Sequence, residues 1–515
     1  MERISNRYKI RRSHKRNLAS AKFTTLWLAT LVALCFSAGC SSSSSSLKGG
    51  QFDALLNGSY TYEISGSAFG LSSGNGAYER AGTFVADGQG HITGGSDDLV
   101  QGAQPVTNPV TGSYAVANDG TGSMFLTIGS TQWQWAFTLT SSSKLTLVEF
   151  DSFATGTGGA FLQDAAAIKA SPQGSFVFRI QSFQANNAAQ SAVSSVGGVN
   201  ISSGNISGQE DVVRDGTLGS FNLTGSLTTP DTTGKGSFSL TDSGGFASTF
   251  FYYIIDSNTL NLLETDSTST GQVNFGTGRL RTQTGMPFSN SILNQPLAFF
   301  STGNTQTSVF AAVSIGVLAP DGNGKITAGS YDSVVAGVAI SASDLTGTYS
   351  MGSNGRATMA LNSQATGSIT QVVWVVDSSL AFYLSTGPSG TQEGTLNQQQ
   401  TPPFSNGSLN GQFAFSMYGY DNRNPPLIDR VGVGSFDGTK NLILTNYFVN
   451  RDGSRNQTSA TTSTYTVSPN GRVTTSIDGI SNNIVMYVIS DTAAYLISED
   501  PNTQVAGGIT QQTLQ

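Results

Sequence analysis

The segment Gly58-Ser59-Tyr60-Thr61-Tyr62 decides the fold, because similar segments return three times at nearly constant spacing. Each copy places large apolar side chains two residues apart after a turn-like pair, which is the period of a strand with one buried face. The starts are 116, 121 and 116 residues apart (58 to 174, 174 to 295, 295 to 411). The later copies are Gly174-Ser175-Phe176-Val177-Phe178, Gln295-Pro296-Leu297-Ala298-Phe299 and Gly411-Gln412-Phe413-Ala414-Phe415. This spacing predicts four tandem copies of one all-β unit.

Each predicted unit continues as short alternating strands separated by Gly-, Asp- and Asn-rich turns. The turn Asp87-Gly88-Gln89-Gly90 of the first unit returns as Asp321-Gly322-Asn323-Gly324 in the third, and Asp-Gly pairs suit tight hairpins. No segment of the body shows sustained helical spacing. The predicted boundaries are residues 51–170, 171–284, 291–398 and 408–511, with about eight strands in each unit.

The architecture predicted for each unit is an up-and-down antiparallel β-barrel. About eight sequential strands in about 110 residues, with first and last strands free to pair, favour this closure. The size and layout are similar to the calycin class of lipocalins and avidins, although neither family's diagnostic motif is present. Two alternatives stay open: a β-propeller, whose blades would be shorter than the observed period, and a β-sandwich in each unit.

The charge distribution separates the N-terminus from the body. Residues 1–39 contain eight Lys or Arg and one Glu, a net charge of +7. The whole chain carries −7, so the remainder carries about −14 (−7 minus +7). An acidic body argues against nucleic acid as a partner, because such binding depends on neutralising phosphates. It also argues against a basic patch for membrane surfaces.

The first forty residues have the order of a bacterial export signal. A basic segment precedes an apolar run over residues 24–36, which has the length of a signal-peptide h-region and is shorter than the roughly 20 residues of a membrane span. The sequence Ser37-Ala38-Gly39-Cys40 and six serines follow. This segment resembles the lipobox of bacterial lipoproteins, in which the cysteine becomes the lipidated N-terminus. Ser37 departs from the family's usual Leu.

The lipoprotein resemblance implies a signal peptide over residues 1–39, lipidation of Cys40 and a serine-rich tether over residues 40–50. Acyl chains on Cys40 would anchor the protein to a membrane. Ser41 in place of Asp after the cysteine favours the outer membrane or the cell surface. The alternative is ordinary secretion, with Cys40 left as a free thiol. Cys35 is the other cysteine, so the body contains no disulfide framework.

No catalytic, cofactor or metal site is predicted. His91 is the one histidine of the body, and a zinc site or a Ser-His-Asp triad would depend on this single imidazole. The turn over residues 321–326 lacks the ligand register of an EF-hand loop.

Two pairs of carboxylates have the spacing of residues on one face of a strand: Glu149 with Asp151, and Glu264 with Asp266. Glycoside hydrolysis needs two such groups. If the face is inward, each pair lies at a barrel mouth. If the face is outward, the pair belongs to a solvated rim, which is the favoured interpretation.

Trp133 and Trp135 share a strand face with Phe137. The favoured interpretation is that they fill the core. The alternative is a stacking surface for a ligand, because an indole combines a flat apolar face with a polar group.

The leading functional hypothesis is therefore a non-catalytic, lipid-anchored cell-envelope protein whose repeated β-domains bind or display a ligand. Its predicted partners are a membrane, through Cys40, and a glycan or small apolar ligand. The alternative hypothesis is an extracellular hydrolase acting on a polysaccharide.

Overall fold

The structure is a computed structural model of the 515-residue chain. It describes residues 50–514, apart from 70–75, 102–103, 187–188, 215, 267–272, 306–307, 388–389, 422–426, 478–480 and 502. The predicted signal peptide, Cys40 and nearly all of the serine-rich tether lie outside the described residues. Among the described residues, no helix has the length and hydropathy needed to cross a bilayer.

The strands fall into four consecutive groups, called barrels 1 to 4. Barrel 1 contains β1 (Asn57–Ala68), β2 (Gly76–Asp87), β3 (His91–Val100), β4 (Val106–Val116), β5 (Thr121–Ile128), β6 (Thr131–Ser141), β7 (Lys144–Glu149) and β8 (Ala154–Leu162). Barrel 2 contains β9 (Gly174–Asn186), β10 (Ala189–Ser202), β11 (Asn205–Arg214), β12 (Thr217–Leu227), β13 (Lys235–Asp242), β14 (Ala247–Asp256), β15 (Thr259–Thr265) and β16 (Val273–Thr282). Barrel 3 contains β17 (Leu297–Thr305), β18 (Ser308–Pro320), β19 (Lys325–Val335), β20 (Val338–Ala342), β21 (Thr346–Met351), β22 (Arg356–Ser363), β23 (Gly367–Val375), β24 (Leu380–Gly387) and β25 (Gly390–Gln398). Barrel 4 contains β26 (Asn410–Asp421), β27 (Leu427–Asp437), β28 (Asn441–Arg451), β29 (Ser454–Val467), β30 (Arg472–Ile477), β31 (Ser481–Ser490), β32 (Ala493–Ser498) and β33 (Thr503–Gln511).

All four groups close into antiparallel barrels, which confirms the predicted all-β fold and the barrel rather than a propeller or sandwich. In barrels 1, 2 and 4, eight strands pair in sequence order and the first pairs with the last. Barrel 3 closes in the same way through the pairing of β18 with β19. Its ninth strand arises because the fourth strand is divided into β20 and β21, and β20 pairs with β19 alone.

The opening segment forms the strand on which barrel 1 closes. Strand β1 pairs with β8 from Tyr60 opposite Leu162 onward. Tyr60 and Tyr62 both point into the barrel, where neither is exposed. Tyr60 stacks on Phe84, with ring centroids 5.3 Å apart, and Tyr62 meets Trp135 edge-on at 5.0 Å. The alternation seen in the sequence is therefore the alternation between barrel interior and exterior.

The second of the two large apolar residues in the opening segment is aromatic in barrels 1 to 3, and its ring covers a glycine on the next strand. A Cβ added to that glycine would lie within 2.8 Å of the ring or its hydroxyl. The aromatic–glycine pairs are Tyr62 with Gly82, Phe178 with Gly197, and Phe299 with Gly316. A narrow barrel can hold a large ring only where the facing position is small, so the motif and the glycine act together.

The apolar end of three barrels is plugged by a short 3-10 helix in the segment before the first strand. These helices are Asp53–Leu55, Asn290–Ile292 and Asn406–Ser408; a fourth, Ala167–Lys169, precedes barrel 2. In each of the three, a tyrosine of the fourth strand donates its hydroxyl to two carbonyls of the plug segment. The tyrosines are Tyr114, Tyr349 and Tyr465. The strand and the plug therefore fix each other.

The barrels are joined in a ring by one repeated contact. Just after the last strand of each barrel, a glutamine side chain donates through Nε2 to two carbonyl oxygens of the following barrel. The bonds run from Gln163 to Ile254 (2.8 Å) and Thr233 (2.9 Å), from Gln283 to Val375 (2.7 Å) and Asn354 (3.0 Å), and from Gln399 to Val488 (2.7 Å) and Asn470 (3.3 Å). Gln512, after barrel 4, makes the same bonds to Leu139 (2.7 Å) and Asp119 (3.0 Å) of barrel 1. Barrel 4 is therefore attached to barrel 1 as each barrel is to its successor.

Three of the four interfaces contain a buried aspartate that receives a cation and an aromatic donor from the next barrel. Asp332 of barrel 3 accepts two bonds from Arg472, at 2.7 Å each, and one from the hydroxyl of Tyr487 at 2.8 Å. The corresponding groups are Asp211, Arg356 and Trp374 between barrels 2 and 3, and Asp98, Lys235 and Tyr253 between barrels 1 and 2. Because each aspartate is paired and hydrogen-bonded, the cost of its burial is offset.

The interface between barrels 4 and 1 uses different chemistry. At the position of the aspartate stands Phe448, whose ring meets that of Phe150 edge-on at 5.4 Å. Asn450 donates to the carbonyls of Glu149 (2.6 Å) and Ala154 (2.9 Å). The contact that closes the ring is thus aromatic and amide-based rather than ionic.

We expect Gln512→Ala to weaken closure of the ring. The substitution leaves two carbonyls of barrel 1 without their donor, which should lower the free energy of unfolding by about 1–3 kcal/mol. Thermal denaturation measures the loss, and hydrogen exchange should locate it at the end of barrel 1. Gln511→Ala is the matched control, because Gln511 bonds within barrel 4. Equal effects of the two variants would contradict the closing role of Gln512.

Candidate functional site

Trp133 and Trp135 lie inside barrel 1, with 4% and 0% of their surface exposed. Their positions match the core-filling interpretation, and a ligand stacking on them would have to enter the barrel. His91 lies exposed in its hairpin, 2.8 Å from the carboxylate of Asp87. Among the described residues there is no group of three or more His, Cys, Asp or Glu that could hold a metal ion.

Each barrel has an apolar half and a polar end. The apolar halves are alike, because they hold the opening aromatic or aliphatic residues of every repeat. The polar ends differ. The register places Ser195, Ser314 and Arg430 where barrel 1 has Arg80. It places Glu264, Ser385 and Ser498 where barrel 1 has Glu149. The polar ends are therefore where the four repeats can differ in function.

The carboxylates of Glu149 and Glu264 point inward and are buried, so the prediction of a solvated rim was wrong. Strand β7 explains the error. Leu145, Leu147 and Glu149 occupy one face of it, and both leucines belong to the barrel core. The alternation that makes the leucines core residues also directs Glu149 inward.

The polar end of barrel 1 is organised around Arg80, which is 1% exposed. Its Nε lies 3.0 Å from Asp97 and its Nη1 lies 2.8 Å from Glu149. The hydroxyl of Tyr62 donates to Asp97 at 2.6 Å, and that of Tyr78 donates to Glu149. Burial raises the pKa of Glu149 well above its usual range and also raises the pKa of Asp97, which Arg80 opposes.

This cluster is covered by aromatic rings. The guanidinium of Arg80 lies 3.8 Å from the centroid of the Trp133 ring, a cation–π geometry. Trp133 in turn meets Phe153 edge-on at 5.1 Å. Barrel 1 is therefore filled to its polar end, and both acids are held by Arg80 and by tyrosine hydroxyls within the protein.

Barrel 2 has smaller side chains at the same level, and a polar cavity of about 30 Å³ opens there. Val193, Ser195 and Ser248 take the places of Tyr78, Arg80 and Trp133. The polar groups that line the cavity are Ser182, Ser195, Glu210, Arg214, Asp242, Ser248, Glu264 and Asn274.

The ionisable side chains around this cavity lie close to one another. Arg214 lies 2.9 Å from Asp242 and 3.3 Å from Glu210. Burial raises the pKa of Glu210 to about 7, although Arg214 opposes the shift. Burial and the neighbouring Asp266 raise the pKa of Glu264 well above its usual range, and Ser182 donates to Glu264. Burial therefore disfavours the ionised form of Glu264.

The polar ends of barrels 3 and 4 contain different side chains from those of barrels 1 and 2. In barrel 3 the groups are uncharged: Ser301 donates to Gln392 at 2.6 Å, and the hydroxyls of Ser314 and Ser333 lie 2.8 Å apart. In barrel 4 the guanidinium of Arg430 is 1% exposed. The four interiors are thus chemically distinct.

The sequence interpretation missed Arg80, Asp97, Arg214 and Asn274. A signal was available for Arg80, because Tyr78, Arg80, Gly82 and Phe84 alternate on one face of β2. A charged residue between aromatic core positions indicates an interior charge, which requires a partner.

Comparison with known proteins gives no family for the chain. No protein-family model and no curated protein matches it. Three solved structures of transferrin binding protein B (TbpB) are similar over long stretches. The isotype 1 protein from serogroup B Neisseria meningitidis is 10% identical, with a TM-score of 0.20, over 69% of this chain and 79% of its own.

The other two similar structures are intact Ap-TbpB, with its N and C lobes, and a TbpB mutant from Haemophilus parasuis Hp5. Ap-TbpB is 7% identical with a TM-score of 0.20, over 91% of this chain and 98% of its own. The Haemophilus parasuis protein is 9% identical with a TM-score of 0.18, over 74% and 86%. These TM-scores are too low for the chains to superpose as wholes.

We expect Arg80→Met to be strongly destabilising. The variant leaves Asp97 and Glu149 buried without their cation, and breaking a buried ion pair in this way costs about 3–5 kcal/mol. Chemical denaturation of the full chain measures the loss. Lys325→Met, on an exposed hairpin, is the control and should change stability by less than about 0.5 kcal/mol. Similar small losses in both variants would contradict the assigned role of Arg80.

Buried carboxyl groups also lie at the interfaces between barrels. Glu79 accepts a bond of 2.6 Å from Ser65, whose hydroxyl lies 3.2 Å from that of Thr277 in barrel 2. Burial raises the pKa of Glu79 to about 8. At the interface of barrels 4 and 1, Asp429 accepts a bond of 2.6 Å from Thr155, and burial raises its pKa to about 7.

These shifts predict that stability falls as the pH rises. The folded protein holds the protons of Glu79 and Asp429 more tightly than the unfolded chain does. Their contribution to the free energy of unfolding is therefore fully present below about pH 4 and is lost as the pH rises through about 7–8. Glu79 alone should give a slope of about 1 kcal/mol per pH unit between roughly pH 5 and pH 8.

Glu79→Gln keeps an acceptor for Ser65 and removes the titration. The free energy of unfolding of this variant should therefore depend less steeply on pH, as measured by denaturant titrations at pH 5, 6.5 and 8. Asp321→Asn is the control, because backbone donors lower the pKa of Asp321, which places its titration below this range. An unchanged slope in Glu79→Gln would show that Glu79 does not titrate in this window.

Proposed function

We propose that this chain is a non-catalytic, lipid-anchored protein of the cell envelope, located at the outer membrane or cell surface, whose four barrels bind or display a ligand. One observation carries the ligand-binding part: a common frame of apolar barrel halves and repeated inter-barrel contacts bears four chemically different polar ends. A repeated frame suits a binding scaffold, because linked sites gain from effective concentration, and the different polar ends can give the sites different ligands.

The geometry of the carboxylates supports the absence of catalysis. In barrel 1, both acids are occupied by Arg80 and by tyrosine hydroxyls. In barrel 2, Ser182 donates to Glu264 and the backbone N–H of Thr249 donates to Asp266, so both acids already accept hydrogen bonds within the protein.

The polysaccharide hydrolase stays the alternative, and the burial of Glu264 beside the polar cavity is the observation that favours it. Burial raises the pKa of a carboxyl group, which is the shift that a general acid needs. Release of reducing sugar from polysaccharide by the wild-type chain, abolished by Glu264→Gln, would replace the proposal with this alternative.

The lipid anchor rests on the residues around Cys40. We expect radiolabelled palmitate to be incorporated into the wild-type chain in a bacterial host and not into Cys40→Ala. Cys35→Ala is the matched control, since it removes the other cysteine and should leave labelling intact. Palmitate incorporation that survives Cys40→Ala would contradict the anchor.

A further inference from the structure

The polar cavity of barrel 2 contains hydrogen-bonding groups that the protein itself leaves unused. Asn274 is 7% exposed and lines the cavity, and its Oδ1 has no hydrogen-bond partner among the described residues. The Nε of Arg214, which lines the same cavity, also lacks one. Buried polar atoms without partners are costly. The residues that line this cavity therefore offer one unused acceptor and one unused donor to a ligand.

The complementary group is a hydroxyl, since it both donates and accepts. A hydroxyl can donate to Oδ1 of Asn274, and a hydroxyl can also accept from Nε of Arg214. The cavity of about 30 Å³ exceeds the roughly 10–15 Å³ that one water needs. It therefore admits a hydroxyl or hydroxymethyl group, while the rest of the ligand stays at the mouth.

The charge of the cavity favours a neutral ligand. The guanidinium of Arg214 is already paired with Asp242 and Glu210, so it offers little to an anion. Burial raises the pKa of Glu264, which disfavours the negative charge that a cation would need. The described residues here also form no metal-binding group.

An aromatic ring stands beside the cavity. Phe246 lines it and is 39% exposed, and the guanidinium of Arg214 lies 4.3 Å from the ring centroid. An exposed ring next to convergent polar groups is the combination that binds a pyranose, whose C–H face packs on the ring while its hydroxyls form hydrogen bonds.

We infer that the mouth of barrel 2 binds the terminal neutral hexose of a glycan, with a hydroxyl held by Asn274 and Arg214 and the sugar face packed on Phe246. This inference rests on the proposed ligand-binding function and names its ligand class. The site is distinct from Trp133 and Trp135, which lie inside barrel 1.

Saturation-transfer NMR and calorimetry with methyl glycosides of glucose, galactose and mannose test the site, using the full chain in detergent. Wild-type protein should bind at least one glycoside. Phe246→Ala should weaken binding roughly fivefold to tenfold, because it removes the stacking ring. Asn274→Leu should weaken it by about tenfold, because it removes the buried acceptor while keeping the branched shape of the side chain.

Tyr420→Ala is the matched control, since Tyr420 is an exposed aromatic residue of barrel 4 and its loss should leave affinity unchanged. Phe246 lies at the surface, so its variant tests the site even if Asn274→Leu fails to fold. Binding that survives Phe246→Ala would overturn this site and leave the proposed ligand-binding function standing. No binding of any glycoside at about 10 mM would overturn the inference and indicate that only water occupies the cavity, while palmitate labelling tests the anchor separately.

Discussion

The structure depends on the pairing of the first and last strands within each repeat. An open sheet of this length would expose two edges whose unpaired backbone groups invite aggregation, and closure removes both. Closure at eight strands also leaves an interior just wide enough for side chains. In barrels 1 to 3, an aromatic ring of the opening segment consequently lies over a glycine on the neighbouring strand, as Tyr62 lies over Gly82. The pairing of a large ring with a glycine thus matches the narrow interior of the barrel.

The four barrels are held together in a ring by a contact that repeats at every interface. A glutamine directly after each barrel bonds to the next, and Gln512 does so from barrel 4 to barrel 1. Each barrel is therefore held on two sides. The aspartate-centred contacts, such as Asp332 with Arg472, occur at three interfaces, whereas Phe448 and Phe150 meet at the fourth. The distinct chemistry of that closing contact separates it from the other three, which limits incorrect pairing between similar surfaces.

The fold could be predicted to a large extent, and the interior chemistry only in part. Strand alternation placed Tyr60 and Tyr62 on one face, and that face is the barrel interior. The same rule applied to β7 would have placed Glu149 beside Leu145 and Leu147, but the expectation that charges face solvent prevailed. That expectation fails where a charge finds a partner across the barrel, as Glu149 finds Arg80 69 residues earlier in the chain. Local patterns do not contain such a pairing.

The sequence by itself determined the repeat and the strand content, because these depend on local alternation and on turn residues that recur with the same period. It favoured barrel closure but left a propeller and a sandwich open, and it contains the lipobox-like segment at Cys40. The tertiary structure decided that each unit closes into a barrel, that the four barrels form a ring, that Arg80 contacts two buried acids, and that a cavity opens in barrel 2 where Ser195 and Ser248 replace larger residues. Each of these depends on contacts between residues far apart in the chain, whose register is set only when the barrels close.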